Sequence, residues 1–132
     1  MVYALDTNVV IALLRNNKAV SDKFDAVVET EKIIIPPYVN FEILRGFQYV
    51  SAPKKQELYM DFCGRCPVEE MNAKAWEKAA AIYGDLLKKG LAIEDADLLI
   101  ASFCIVNSYT LVTNNARHFE RIEGLSIEDW AE

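Results

Sequence analysis

Val2-Tyr3-Ala4-Leu5-Asp6-Thr7-Asn8-Val9-Val10-Ile11-Ala12-Leu13-Leu14 is the stretch whose reading decides the fold. Val2 to Leu5 is an apolar run of strand length, and it stops at the polar triplet Asp6-Thr7-Asn8. Val9 to Leu14 resumes an apolar pattern long enough for a helix, closed by Arg15-Asn16-Asn17. A buried strand, a polar turn and a buried helix open an α/β unit. Ligands of open parallel sheets sit beyond the carboxyl ends of the strands, so Asp6 stands where α/β proteins do chemistry. A plainer role is open to the same residues, because Asp6 or Thr7 can simply cap the helix.

Outward from this unit the pattern repeats. Ala19 to Thr30 reads as a helix with Val20, Phe24, Val27 and Val28 on its inner face. Lys32-Ile33-Ile34-Ile35 is a β-branched run that fits a buried parallel strand. Pro36-Pro37 ends it and pre-sets a helix from about Tyr38 to Val50, whose inner face is Val39, Ile43, Phe47 and Val50. Ser51-Ala52-Pro53 breaks that helix, and Pro53 opens the next, which runs to about Cys63. Pro67 to Met71 is a weaker strand. Asn72 caps a long amphipathic helix to Lys89, carrying Ala75, Trp76, Ala79, Ile82, Tyr83 and Leu86, and Gly90 terminates it. Asp95 to Asn107 is the most apolar helix, with Ser102 the one polar residue between Leu98 and Val106. Thr110 to Thr113 is a strand, followed by Asn114-Asn115 and a helical turn through Phe119, and Gly124 to Ile127 is a last edge strand before Trp130. Strands alternating with helices predict an α/β fold, one domain over residues 1–132, with a mainly parallel central sheet flanked by helices.

Composition narrows the function classes. A chain of 132 residues with 52% hydrophobic and 26% charged residues is an ordinary globular sequence. No apolar run reaches bilayer length, and no basic segment precedes a signal-like apolar region, which predicts a cytoplasmic protein without membrane contact. The 14 Lys+Arg against 20 Asp+Glu give −6, which excludes a broad basic coat for nucleic acid. That charge permits a nuclease whose carboxylates gather around divalent cations, and it suits a basic partner. Three cysteines, an odd count, argue against a disulfide framework. Cys63-Gly64-Arg65-Cys66 has C-x-x-C spacing, but zinc needs two more ligands and only the distant Cys104 and His118 remain. A redox motif should open a helix, whereas this one closes a helix. Reduced thiols in a packed turn are the expectation.

The candidate chemistry sits where strands end or helices begin. Asp6 follows the first strand, Asn114 and Asn115 follow the strand at Thr110, and Glu94, Asp95 and Asp97 crowd the start of the apolar helix. If the first strand and the Thr110 strand are neighbours, these groups converge on one rim. Acids near a helix N-terminus contribute about 0.3–1 kcal/mol each, and Asp95 reads as an N-cap. Asp97 fits that account less well, because it begins the buried run and shares a face with Ala101. A carboxylate there needs a partner, either a metal ion or a Lys or Arg. Glu42 lies at the edge of its helix's inner face, with Gly46 one turn on leaving space beside it. Its structural alternative is a pair with Arg45, worth about 0.2–0.5 kcal/mol. His118, the single histidine, has no Ser-His-Asp or Cys-His set around it and reads as a surface or packing residue. The first βα turn lacks G-x-G-x-x-G and Walker-type runs, which speaks against dinucleotide binding. Asn8 stands where a covalent phosphatase wants a second aspartate. A non-catalytic binding module on the same fold is the remaining alternative.

Leu5-Asp6-Thr7-Asn8, Phe41-Glu42-Ile43-Leu44-Arg45-Gly46, Asp97-Leu98-Leu99-Ile100-Ala101 and Leu111-Val112-Thr113-Asn114-Asn115, with His118-Phe119 and a closing Gly124-Leu125 to Trp130, resemble a PIN domain. More narrowly, the chain resembles the VapC-type toxins of bacterial and archaeal toxin–antitoxin pairs, over almost its whole length. The resemblance implies a compact three-layer α/β fold and a metal-dependent endoribonuclease. It implies Asp6, Glu42 and Asp97 as direct or water-mediated ligands of Mg²⁺ or Mn²⁺, with Thr7 matching the hydroxyl residue after the first acid. Hard oxygen ligands suit Mg²⁺. Asn115 occupies a fourth position that is often aspartate. A neutral amide holds a cation more weakly, which puts a second metal in doubt and leaves Asn115 to orient a water or a phosphate. Asp95 is a possible substitute. An RNA substrate, a small VapB-like antitoxin and a homodimer are implied as partners, with Arg15, Arg45, Arg117 and Arg121 as candidate RNA-contacting cations.

Overall fold

The computed structural model describes residues 1–131. Its centre is β1 (Val2–Leu5), which is buried from Tyr3 onward. β1 pairs in parallel with β2 (Lys32–Ile34) on one side and with β3 (Thr110–Val112) on the other. β4 (Ser126–Glu128) joins β3, also in parallel, so the sheet order is β2-β1-β3-β4. A parallel sheet needs both faces covered. Ala4, Leu5, Ile34, Leu111 and Val112 are accordingly sealed from solvent. The covering helices are α1 (Thr7–Leu14), α2 (Lys18–Val28), α3 (Pro37–Tyr49), α4 (Pro53–Arg65), α5 (Ala73–Lys88) and α6 (Asp95–Asn107). A 3-10 turn (Ala116–Phe119) lies between β3 and β4.

Local chemistry explains most boundaries. Pro37 and Pro53 occupy first-turn positions of α3 and α4, where a missing N–H costs nothing. Asn17 caps α2 by accepting from the Val20 N–H at 3.2 Å. Gly90 follows α5 at φ 73°, a left-handed turn that glycine adopts without strain. α6 is the most buried helix, and its Ser102 hydroxyl donates to the Leu98 carbonyl at 2.7 Å, so no polar atom is stranded.

The structure departs from the sequence reading at several points. Asn72 occupies the N-cap position of α5, but its amide donates to Asn107 Oδ1 at 3.3 Å and makes no cap bond. α5 packs on α6 through a stripe of Ala75, Ala79 and Leu86, while Trp76 is 55% and Tyr83 45% exposed. The small alanines let the two helices approach, and the aromatics are left outside. Val50 is exposed as well, because α3 ends one residue earlier. Pro67 to Met71 supplies one isolated bridge, Val68 to Ile35, rather than a strand. Pro67 accepts from Ile35 N at 3.0 Å but has no N–H to extend a ladder. All three cysteines are free thiols, and burial pushes Cys66 up to about 11, far from thiolate reactivity. Among the described residues, no helix is long and apolar enough to cross a membrane.

Candidate metal centre

Asp6 is fixed where β1 gives way to α1. Its backbone N–H still donates to Val112 O at 2.9 Å, so the residue sits between the carboxyl ends of β1 and β3. It is the N-cap of α1, and Oδ1 accepts from the Thr7 N–H at 2.8 Å. The cap bond is made, and it leaves the Asp6 carboxylate at the rim where β1 and β3 end. Oδ2 accepts from the Thr113 hydroxyl at 2.7 Å. Thr113 is fully buried, and its oxygen also accepts from the Asn115 N–H at 3.0 Å. One hydroxyl therefore orients Asp6 and the turn that carries Asn115. Thr113 escaped the sequence reading because it looks like the last β-branched residue of a strand. The available signal was a hydroxyl at the same strand-end rank as Asp6.

Glu42 is brought in by α3. The Thr7 hydroxyl donates to its Oε1 at 2.7 Å, and Arg45 approaches its Oε2 at 3.6 Å. The Arg45 guanidinium also lies over the Phe41 ring, 5.2 Å from its centroid. That pair is half exposed and long, so it stabilises little. Gly46 and Glu42 line the same open groove, and a Cβ at Gly46 would meet nothing within 4 Å.

The start of α6 supplies the third acid. The helix is capped by Glu94, not Asp95, whose backbone already has helical geometry, and no side chain bonds the cap. The Glu94 carbonyl accepts from Leu98 N at 3.0 Å, which moves the boundary back one residue. Asp97 is half-buried in the first turn. Burial pushes its carboxyl above the ordinary value, His118 opposes that, and the negative charges of Asp6, Glu94 and Glu42 raise it further. His118 Nδ1 lies 3.6 Å from Asp97 Oδ2. The ring is on the surface, as expected, and it lies beside Asp97, a proximity that sequence spacing alone did not reveal.

The remaining candidates spread around this rim. Asn115 is half-buried at the start of the 3-10 turn. Arg15 lines the groove beside Glu42, Arg117 is exposed on the 3-10 turn, and the Arg121 guanidinium donates to the Ala92 carbonyl in the loop before α6.

The donor set fits a divalent cation. Asp6, Glu42 and Asp97 offer hard oxygens, and a cation relieves the repulsion that Asp97 meets from the other acids. Among the described residues, no three His, Cys, Asp or Glu side chains form a ready-made metal cage. Mg²⁺ asks for none, since it keeps several waters and takes few carboxylates.

Comparison with known proteins agrees with this geometry. The sequence matches the PIN domain family over residues 3–125. It is 32% identical to Ribonuclease VapC2 of Rickettsia felis, with 98% of each chain covered. It is 29% identical to the tRNA(fMet)-specific endonuclease VapC of Salmonella typhimurium, with 97% of each covered. In space it matches a chain in the crystal structure of VapBC2 from Rickettsia felis bound to a promoter DNA fragment. That match has a TM-score of 0.92 at 30% identity and covers 98% of this chain and 99% of the other. The chain belongs to the PIN-domain family, among the VapC ribonucleases.

Proposed function

We propose that this protein is an endoribonuclease that hydrolyses RNA phosphodiester bonds with Mg²⁺ or Mn²⁺, and that it is the toxin of a toxin–antitoxin pair. The observation that carries this reading is that Asp6 and Glu42 both bond Thr7 at the carboxyl end of β1, while Asp97 on α6 feels the charge of both. When bound, the cation supplies charge neutralisation at the phosphate and acidifies the attacking water. The chain's own residues do the rest. Asp6, Glu42 and Asp97 would hold the cation. The Thr7 N–H and the Thr113 hydroxyl orient Asp6 before substrate arrives, and the Thr7 hydroxyl steers Glu42. Asn115 offers a neutral amide to a water or a phosphate oxygen. Arg15, Arg45, Arg117 and Arg121 meet the RNA backbone around the acidic centre.

The partner reading rests on the surface next to the acids. A groove of about 370 Å³ is lined by Ile11, Leu14, Ile43, Phe47 and Leu58, and it includes Thr7 and Glu42. An antitoxin segment that is apolar along its length and ends in an Arg or Lys fills this groove and neutralises Glu42. Trp76, Tyr83 and Leu87 on α5 and Phe41 on α3 form a further exposed apolar set, which a second copy of the chain covers in a homodimer.

The deciding experiment is RNA cleavage by purified protein with Mg²⁺, with Mn²⁺ and with EDTA, alongside Asp97→Asn. Cleavage is expected only with a divalent ion and an intact Asp97. Undiminished cleavage in EDTA, or full activity of Asp97→Asn, overturns the reading.

A further inference from the structure

The 3-10 turn between β3 and β4 makes two contacts with the beginning of α6 that the catalytic reading does not use. Arg121, just past the turn, donates to the Ala92 carbonyl in the loop that leads into α6. His118, within the turn, places Nδ1 3.6 Å from Asp97 Oδ2. The turn itself is anchored. Phe119 is 1% exposed, its carbonyl accepts from Ile122 N at 3.0 Å, and the His118 N–H donates to Asn115 O at 3.0 Å. The backbone of His118 is therefore held between two fixed neighbours, while 60% of its side chain is open to water. An imidazole so exposed contributes little to the core. Among the described residues, His118 is the one basic side chain within ion-pair range of Asp97. Asp6 and Glu42 each have hydroxyl or N–H donors to set their orientation, whereas the imidazole is what faces Asp97.

We propose that His118 is a positioning residue for Asp97, holding one carboxylate oxygen so that the side chain is set for the cation before it binds. The inference rests on the reading of Asp97 as a metal ligand. Outer partners that orient ligating carboxylates typically change metal affinity 10–100-fold when removed. The contact comes from a segment 21 residues beyond Asp97 in sequence.

The test is Mn²⁺ binding to the full chain, followed by calorimetry and by the electron paramagnetic resonance of free Mn²⁺, with RNA cleavage read against Mn²⁺ concentration. His118→Ala is expected to weaken Mn²⁺ affinity at least about 10-fold. Cleavage at saturating Mn²⁺ should stay within about 2–3-fold of the unmodified protein, since the residue acts on Asp97 and not on the reacting atoms. His118→Asn, which carries an amide donor close to the Nδ1 position, should restore most of the affinity. A merely structural histidine lowers the melting temperature in both variants and leaves Mn²⁺ affinity unchanged. Unchanged affinity in His118→Ala overturns the proposal, as does His118→Asn binding as weakly as His118→Ala. Asp97→Asn separates the two levels. If it binds Mn²⁺ as tightly as the unmodified protein, the assignment of Asp97 as a ligand falls and this inference falls with it. If it loses binding while His118→Ala does not, only the positioning role fails.

Discussion

Two carboxylate sites on this one sheet are built in opposite ways. Beside the beginnings of β2 and β3, Glu69 accepts from the Tyr109 hydroxyl at 2.8 Å and pairs with Lys32 at 3.5 Å. One acid there meets one ammonium and one phenol. Beyond the ends of β1 and β3, Asp6 and Glu42 take hydroxyl and backbone N–H donors, which orient charge without neutralising it, and Asp97 faces their charge from α6. Their only basic neighbours in ion-pair range among the described residues are Arg45 and His118, both at 3.6 Å and both largely in water. The first arrangement is a finished structural contact. The second is left short of positive charge, an arrangement that suits an added cation.

The strongest way to break this contrast is Asp97→Asn. Cleavage should fall more than about 100-fold, beyond the 10–100-fold typical of an outer partner. In EDTA, the same variant should melt higher than the unmodified protein at pH 7. The native Asp97 carboxyl keeps its proton to higher pH than it does in the unfolded chain, where an aspartate titrates at about 3.9. In the window from there up to the raised native value, the native state binds more protons, so stability falls as pH rises. Removing the charge removes that fall. Calorimetric melting at pH 7 that is unchanged or lower would show that Asp97 is no more burdened than Glu69.

Thr113→Val should have the next largest effect, about 10–100-fold on cleavage, because Asp6 loses a donor and Asn115 N–H loses its acceptor. Denaturant titration should show about 1–3 kcal/mol lost for the unsatisfied buried groups. Asn115→Ala should weaken cleavage less than Asp6→Ala, and Asn115→Asp should tighten Mn²⁺ binding by adding charge where it is scarce. Mn²⁺ affinity unchanged in Asn115→Asp would mean that the amide lies outside the cation's reach. Glu69→Gln should do least, with cleavage unchanged and stability lower by at most about 1 kcal/mol. Impaired cleavage in this variant would erase the distinction between the two sites.

Much of the arrangement was legible in the sequence because polarity changes abruptly where strands end. Asp6 and Asn115 follow apolar runs, and the parallel pairing of β1 with β3 brings their segments together. Glu42 was legible from helical spacing, since it borders the stripe that carries Val39 and Ile43. Thr113 was not, because a β-branched residue with a hydroxyl reads equally as strand or as site. His118 could not be placed beside Asp97 from local periodicity, since the contact joins a 3-10 turn to another helix. Trp76 and Tyr83 were grouped with the alanines of α5 because hydrophobicity does not tell a helix's packed face from an exposed apolar one.

The bond from Thr113 to Asp6 spans 107 positions of the chain. A ribosome adding about 5–20 residues per second therefore delivers Asp6 roughly 5–20 s before the threonine that orients it. β1 and β2 can associate early, but β3 comes late, and pairings this distant in sequence form only after a large closure entropy has been met. The acid at the end of β1 waits for a hydroxyl 107 positions later, so the growing polypeptide carries an incomplete centre until β3 has been made.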